Sequence, residues 1–511
     1  MNTWRVFILR EKSGGFVSCF ANAPNAGGSY LTPDQIYFNP FTLFMYVPGR
    51  LNGSVSLSIP NMPDEWIFAT QMKKIPGEKR FEAPTYHYFI DSPFVTSRQM
   101  IKRSFHLQNA DFHIYFQGDF KGDDAVVDAA VDISRKICDE AGAIYGRFPF
   151  SEYHFIYRLL PYQFRHGVEH TNSVSMAVSA SLTESTRSIN GIAGLAAHEI
   201  WHAWNVKRIR PAALWPYDYS QPQYTHLHWF TEGVTSYYAN LLLVRAGLIS
   251  EEQFFQKTAA NIEDYENSYA ASVITASEAS FDSWLETSSN QNPQLKVSYY
   301  ALGQRLGLLF DLALREKSDG AVTLDGLFNF LMFEYYDKNQ GVPENGIQLA
   351  AETLTRSSWQ DFFDKYVNGT EPINYDDYFS PFGLELKVQK DARPGARGMG
   401  ILGFEKHPQG IITGKVHPGG DAYLAGLSEG DFILEINGKN ATEVDLDDFV
   451  SNLKKGTVVN LKVYTDFQLK EIDVPYEGRF VTQKYTLEKK GRLKDKEMNR
   501  LSDWLGSKAK E

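Results

Sequence analysis

Ala197-His-Glu-Ile-Trp-His-Ala203 carries two imidazoles four positions apart, with a carboxylate directly after the first. On a helix of 3.6 residues per turn, positions i and i+4 share a face, so His198 and His202 can hold one ion together. Glu199 projects beside that ion, where it would take a proton from a metal-bound water. Ile192, Leu195, Ala196 and Ile200 give the helix an apolar side, and Pro211 after Arg210 is its predicted stop. So short a pattern also fits a polar helix face whose histidines only hydrogen-bond. A catalytic zinc needs a third protein ligand and an open fourth position. Glu232, in Trp229-Phe-Thr-Glu-Gly-Val-Thr-Ser-Tyr-Tyr238, is the candidate, opening a predicted helix that runs on through Leu241-Leu-Leu-Val244. A carboxylate among aromatic residues needs a partner charge to offset its burial, and a metal supplies one. His226 and His228 precede that helix as rival ligands and read as outer or loop residues.

The 511 residues are 43% hydrophobic, so the chain is too long for one ordinary domain and too apolar to be disordered. A net charge of −11 argues against nucleic acid as a partner, which needs a basic face. No apolar run reaches the ~18 residues a membrane span demands, and the chain reads as soluble. Cys19 and Cys138 cannot build a disulfide framework and read as buried small side chains. The start, Met1 to Arg10, lacks the apolar segment and cleavage site of a signal peptide, which reads as cytoplasmic. Seven of the twelve histidines fall between His154 and His228, around the candidate ligands.

Residues 1–118 are rich in short aromatic and β-branched runs such as Ser54-Val-Ser-Leu-Ser-Ile59, which predict an antiparallel β domain. From Asp123 helical periodicity takes over, and 119–380 reads as a mostly helical domain. The Gly-rich stretch Pro394-Gly-Ala-Arg-Gly-Met-Gly400 opens a third style of short strands and turns, and 381–478 forms the third unit. The tail, 479–511, holds ten Lys and Arg against five Asp and Glu, and reads as a solvated basic strand and helix.

His198-Glu-Ile-Trp-His-Ala-Trp-Asn-Val-Lys-Arg-Ile-Arg-Pro211, followed by Trp229-Phe-Thr-Glu-Gly233 and Thr235-Ser-Tyr-Tyr238, resembles the glycyl aminopeptidase family, gluzincin metallopeptidases with an appended PDZ domain. The N-terminal likeness rests on short pieces: Asn39-Pro-Phe-Thr-Leu-Phe44, Trp66-Ile-Phe-Ala-Thr70 and Ile90-Asp-Ser-Pro93. It is denser from Phe148 to Gly383. The resemblance implies one zinc ion per chain on His198, His202 and Glu232, with Glu199 as general base, in agreement with the helix spacing. Gly167-Val-Glu-His170 looks like the family's Gly-Leu-Glu-His segment, which implies substrate binding at Gly167 and capture of the free amino group by Glu169. Ser298-Tyr-Tyr-Ala-Leu-Gly303 resembles the helix start that places Tyr300 as donor to the developing oxyanion, with Tyr299 as the alternative. Leu302 stands where the family has lysine, so the charge balance differs there. Trp204, Asn205 and the run from Lys207 to Arg210 read as bracing for the zinc helix.

Gly419-Gly-Asp-Ala-Tyr-Leu-Ala-Gly-Leu-Ser-Glu-Gly-Asp-Phe-Ile-Leu-Glu-Ile-Asn-Gly438 looks like a PDZ domain's short helix, its Gly-Asp turn and the strand after it. Such a groove takes an extended peptide as an added strand and holds a terminal carboxylate in backbone amides, here the loop Gly400, Ile401, Leu402, Gly403 and Phe404. A packed structural appendage is the competing reading.

The expectation is a multidomain α+β protein: an N-terminal antiparallel β domain, a thermolysin-like mostly helical catalytic domain, and a C-terminal PDZ β-sandwich or barrel. The implied activity is zinc-dependent removal of small N-terminal residues, Gly or Ala, from peptides with a free N-terminus. The alternatives are an endopeptidase of the same clan and a PDZ scaffold with an inactive peptidase domain. Family members usually carry further strands, and at times an export signal, ahead of the Asn39 segment. A periplasmic or secreted home therefore stays open.

Overall fold

The computed structural model describes residues 3–8, 15–286, 297–390, 396–479 and 483–506. Most of the Met1 to Arg10 start is thus described, whereas Pro394 and Gly395 of the Gly-rich stretch lie outside the described residues. No described helix is long and apolar enough to cross a membrane.

The N-terminal unit is antiparallel β structure. Ser29–Thr32, Gln35–Phe38, Phe94–Ser97 and Ile67–Ala69 order into one sheet, and Val55–Ser58, Arg80–Ala83 and Lys73–Lys74 into another. Aromatic side chains fill the space between them: Phe38 stacks on Phe94 at 5.3 Å, and Phe81 meets Phe94 edge-on at 5.0 Å.

A five-stranded mixed sheet follows. The hairpin β1 (Met100–Leu107) and β2 (Ala110–Gln117) is antiparallel. The chain then crosses over through helix α1 (Asp124–Tyr145) to β3 (Glu152–Leu160), parallel to β2. Asp123 caps α1 by accepting from the Val126 amide, Gly146 ends it in the left-handed region at φ 72°, and Val126, Val127, Ala130, Ile133 and Ile137 form its buried stripe. β4 (Arg165–Glu169) and β5 (Ser173–Ser179) complete the order β1-β2-β3-β5-β4, with β4 antiparallel at the edge. β3, β4 and β5 depart from the helical reading of 119–380, whereas β1 and β2 fall within the predicted β region. β3 and β5 are buried along nearly their whole length, so they lack the alternation that marks a strand in sequence. Hydrogen bonding between β2 and β3 also runs straight across position 118.

After Thr183 the middle unit is mostly helical: α2 (Ala193–Trp201), α3 (Thr235–Arg245), α4 (Glu251–Glu266), α5 (Tyr299–Lys317) and α6 (Leu324–Leu331). α2 and α3 meet through Trp201 stacked on Tyr238, ring centroids 3.9 Å apart. α2 ends at Trp201 rather than at Pro211, the stop read from the sequence. The Asn205 carbonyl, which a continuing helix would spend on the Ile209 amide, accepts from His202 Nδ1 at 2.7 Å instead, and the Ile209 amide donates to Trp204.

The last part of the chain forms two bodies. β6 (Leu384–Lys390) leads into the PDZ unit: β7 (Phe404–His407), β8 (Gly410–Thr413), β9 (Phe432–Ile436), α7 (Leu446–Ser451), β10 (Thr457–Thr465) and β11 (Gln468–Tyr476). The sheet runs β7-β8-β9-β10-β11 with Lys439–Asn440 beside β9, around a core of its own that includes Ile411, Val416, Ile433, Leu461 and Val474. β7 and β11 are its two ends, so it is open and the barrel form of the expectation does not close.

Among the described residues the tail docks on the rest of the protein by one strand and one helix face, contrary to the solvated segment read from the sequence. β12 (Gln483–Lys489) pairs antiparallel with β6, so the PDZ unit is inserted between two strands of one ribbon. The ribbon lies on α4, where the Tyr485 amide donates to Glu263 Oε2 at 3.0 Å and the Gln483 amide to Asn267 Oδ1 at 2.8 Å. Helix α8 (Asp495–Leu505) then buries Leu501, Trp504 and Leu505 in the main core. The basic excess of the tail lies outside this helix, whose charged residues, Lys496 and Arg500 against Asp495, Glu497 and Asp503, leave one stripe to face inward. Of the two cysteines, Cys138 is buried and Cys19 half-buried.

Candidate metal centre

α2 brings His198 and His202 to one face, and the turn before α3 carries Glu232 towards them. That turn, Trp229–Val234, is π-helical, a geometry often found where a helix re-aims a functional side chain. The Nε2 atoms of His198 and His202 lie 3.0 Å apart, and Glu232 Oε2 lies 3.4 Å and 3.3 Å from them. Among the described residues these three donors form one metal-sized cluster, and Glu169, Glu199 and His202 form an adjoining one. His226 and His228 belong to neither: His226 meets Ser277, and His228 Nδ1 lies 3.3 Å from Thr231 Oγ1.

The donor set fits zinc. A carbonyl oxygen can only accept, so His202 Nδ1 donates its proton to Asn205 and its Nε2 is left to face the cluster. Two such nitrogens pointing at each other and at a carboxylate repel unless a proton or a metal cation lies between them. Two imidazoles and one carboxylate leave a tetrahedral ion one open position. Burial works to raise the Glu232 carboxyl, but the His202 and His198 rings outweigh it and hold the group well below the usual carboxylate range. Burial works to lower His202, yet Glu232, Glu169 and Glu199 together raise it to about 10.

Glu199 is buried and its Oε2 has no hydrogen-bond partner among the described residues. Burial pushes its carboxyl up to about 8, against the pull of His202 and with Glu169 and Glu232 adding to the rise. The position is set by Gly167. A β-carbon added there would stand 2.0 Å from Glu199 Oε1, so glycine lets β4 pass over this carboxylate without displacing it. Glu169, two residues on, faces the same way and brings a carboxylate oxygen within 4.8 Å of Glu199 and His202.

Tyr300 enters from α5, its ring centroid 6.1 Å from that of His198. Burial raises its phenol well above the ordinary range, and Glu232 adds to this. Tyr299 stacks on Tyr300 at 4.7 Å and lies 5.6 Å from His228. The helices carrying Glu232 and Tyr300 touch through glycines: a β-carbon on Gly303 would stand 1.9 Å from the Trp229 carbonyl. Leu302 is buried in the main core rather than lining the site. His198, Glu199 and Tyr300 border a cavity of about 810 Å³ that extends along β4 past Gly167 to Arg165.

One supporting group had no role in the sequence reading. Asp91 accepts from the Thr171 amide at 2.7 Å and from its hydroxyl at 2.6 Å, pairs with Lys207 at 2.8 Å and meets His170 at 3.2 Å. Burial opposes its charge, but Lys207 and His170 hold it well below the carboxylate range. It thereby ties the N-terminal unit to the turn after Glu169. The only signal was its place in Ile90-Asp-Ser-Pro93, which shows the residue but none of its distant partners. Trp204 stacks on Tyr145 at 4.6 Å, and Asn205 Nδ2 donates to the Phe230 carbonyl at 3.0 Å, so both tie the His198 segment to its surroundings.

The loop proposed for a peptide carboxylate is partly committed. Leu402 N–H donates to the Lys415 carbonyl, while the Gly400 and Gly403 carbonyls accept from His417 and Gly414, each at 2.7 Å. Gly400 sits at φ 87°, Ile401 is buried, and Phe404 starts the edge strand β7.

Known families and structures match this architecture. The M61 glycyl aminopeptidase profile matches residues 191–306, the peptidase M61 N-terminal domain residues 1–98, and the PDZ domain residues 380–464. PDZ domain-containing protein 11 of Homo sapiens is 32% identical over 100 residues, 18% of this chain and 69% of that protein. Its Danio rerio counterpart is 34% identical over 105 residues, 19% and 71% of the two chains. An aminopeptidase N family protein from Idiomarina loihiensis shares the fold at a TM-score of 0.81, with 24% identity over 97% of this chain and 87% of its own. The order of the three profile matches, with the paired histidines inside the first and Glu232 after them, places the chain in the M61 glycyl aminopeptidase family, peptidases that carry a PDZ domain.

Proposed function

We propose that the chain is a zinc-dependent aminopeptidase that removes small N-terminal residues, Gly or Ala, from peptides. The observation that carries this is the convergence of His198 Nε2, His202 Nε2 and Glu232 Oε2 beside an unpartnered, buried Glu199. These three side chains would hold one zinc ion, which supplies Lewis acidity towards a water and the scissile carbonyl. Glu199 accepts the proton of the attacking water at its carboxylate and returns it to the leaving amine. Its burial suits that work, because a base raised towards neutrality can both take and give a proton.

Tyr300 donates its phenolic hydrogen to the carbonyl oxygen as charge builds there, and so favours the transition state over the ground state. Glu169 holds the substrate ammonium beside Glu199 and sets which peptide bond is presented. Gly167, with no side chain to displace Glu199, would bring its own backbone to the substrate beside that carboxylate. The small-residue preference follows the family. The N-terminal and PDZ units flank the peptidase unit, which takes in β1 and β2 and receives the ribbon strand β12 and helix α8. The PDZ unit offers edge strand β7 to a C-terminal peptide.

The test is hydrolysis of Gly- and Ala-initiated peptides, free and N-acetylated, by the zinc-loaded protein and its Glu199→Gln variant. Free peptides are cut, acetylated ones are not, and the variant is inactive with its zinc retained. Cleavage surviving in Glu199→Gln would reject the general base, equal turnover of acetylated peptides would reject the role of Glu169, and no turnover at all would favour the scaffold.

A further inference from the structure

Alternate residues of a strand share one face, so Arg165, Gly167 and Glu169 present their side chains to the same side of β4. Contacts with α2 confirm the direction: Gly167 lies over Glu199, and Arg165 Nη2 lies within 3.2 Å of where a β-carbon on Gly194 would sit, a turn and a half earlier on that helix. The face thus carries an anion on one side of Glu199 and a cation on the other. At ~3.3 Å per residue the two charged positions are ~13 Å apart, with Gly167 at the midpoint.

Arg165 opens into the cavity of about 810 Å³, and Lys257 of α4 lines its other wall. Both side chains are exposed, and neither makes an ion pair or side-chain hydrogen bond among the described residues. Among the described residues Glu199 is the only carboxylate lining this cavity. Asn190, Ser236, Asn240, Gln253, Tyr300 and Gln304 add neutral polar groups, beside His166 and His198. β4 is a sheet edge, bonded on one side to β5 and unpaired on the other among the described residues. A peptide added there antiparallel, with its ammonium at Glu169, runs its C-terminal end towards Arg165.

We infer that Arg165 and Lys257 form a carboxylate subsite on the leaving-group side, so that the substrates are short peptides of about two to four residues with a free C-terminus. This rests on the peptidase reading above and names the substrate class for that site. The strand acts as a charge ruler: a zwitterionic tripeptide places its ammonium and carboxylate ~10 Å apart, within the span that a Glu and a long Arg side chain bridge. Arg suits the role because its planar fork can accept a carboxylate in bidentate fashion. A C-terminal amide, or a chain too long to end in the cavity, forfeits the contact.

The experiment compares Ala-Ala-Ala with its C-terminal amide, by calorimetric titration into the metal-free protein and by hydrolysis with the zinc-loaded protein. The acid is expected to bind at least tenfold more tightly than the amide and to have a kcat/KM higher by a similar factor. In an Arg165→Met, Lys257→Met double variant that ratio collapses towards one, while affinity for the amide stays at the wild-type value and shows that the site is intact. Arg165→Lys restores part of the ratio. Equal affinity of wild-type protein for acid and amide, or binding of neither at millimolar concentration, overturns the inference. The two readings fail separately: acid-selective binding without any hydrolysis sinks the peptidase and leaves the subsite, whereas hydrolysis with equal binding sinks only the subsite.

Discussion

Replacing Gly167 with alanine adds one methyl group at the point where β4 crosses Glu199. The new β-carbon would stand 2.0 Å from Glu199 Oε1, 2.5 Å from Cδ and 3.0 Å from Cγ. An ordinary contact is at least 3.4 Å, so the carboxylate must retreat by about 1.4 Å or the strand must lift. The strand is held along five residues by β5, whereas the Glu199 carboxyl is held by no hydrogen bond at Oε2, so the side chain gives way. A displacement of ~1 Å at a reacting group costs ~100-fold in rate. Gly167 has no positive φ, so alanine imposes no backbone strain there. The variant should therefore fold with little change in melting temperature, bind zinc with unchanged stoichiometry, and lose at least ~100-fold in kcat on a free Gly- or Ala-initiated peptide. Steady-state kinetics beside metal analysis and thermal melting read all three. A variant with wild-type kcat would refute the placement of Glu199 under β4, and a variant that lost zinc or unfolded would show that the methyl group is absorbed by moving α2 instead.

Two further predictions concern stability. Trp504 is fully buried, donates from Nε1 to Tyr237 Oη at 2.7 Å, and its carbonyl accepts twice from Arg245. Trp504→Ala should cost about 3–5 kcal/mol in denaturant unfolding of the peptidase unit, and a loss below ~1 kcal/mol would contradict the docking of α8. His154 is buried beside His113, and burial lowers its pKa to about 3. The folded state keeps it neutral while the unfolded chain protonates below ~6.5, so its contribution is constant above pH 6.5 and is lost as pH falls, reaching about 2 kcal/mol at pH 5. His154→Phe should flatten that part of the stability curve between pH 7 and pH 5; parallel curves for the two proteins would refute the assignment.

What could be read from the sequence followed the range of the interactions involved. His198, Glu199 and His202 were legible because one helical turn brings them together, and Glu232 because an acid in an aromatic run demands a partner. The N-terminal β unit and the PDZ unit announced themselves by alternation and turn residues, which are local signals. The strands at 152–179 did not, because β3 and β5 are covered on both faces and their apolar runs lose the period of two. The tail misled for a related reason: charge count weighs all sides of a helix equally, whereas α8 docks by one stripe ending in Trp504 and Leu505. Asp91 was invisible in role because its partners at Thr171 and Lys207 are distant in sequence.

The same distinction explains why β4 carries more of the site than its five residues suggest. Read as Gly-Val-Glu-His, the segment offered one acid and one glycine with assigned roles. Placed at the sheet edge with its alternate residues turned to α2, it becomes a line of three positions: a cation, a gap that admits a carboxylate from below, and an anion. None of the three can be moved by one residue without turning it to the other face, since a register shift of one inverts every side chain of a strand. An insertion of one residue within β4 would therefore not merely weaken amine capture. It would put a side chain over Glu199, turn Glu169 or Arg165 to the opposite face of the strand, and abolish turnover even with all three metal-binding side chains in place.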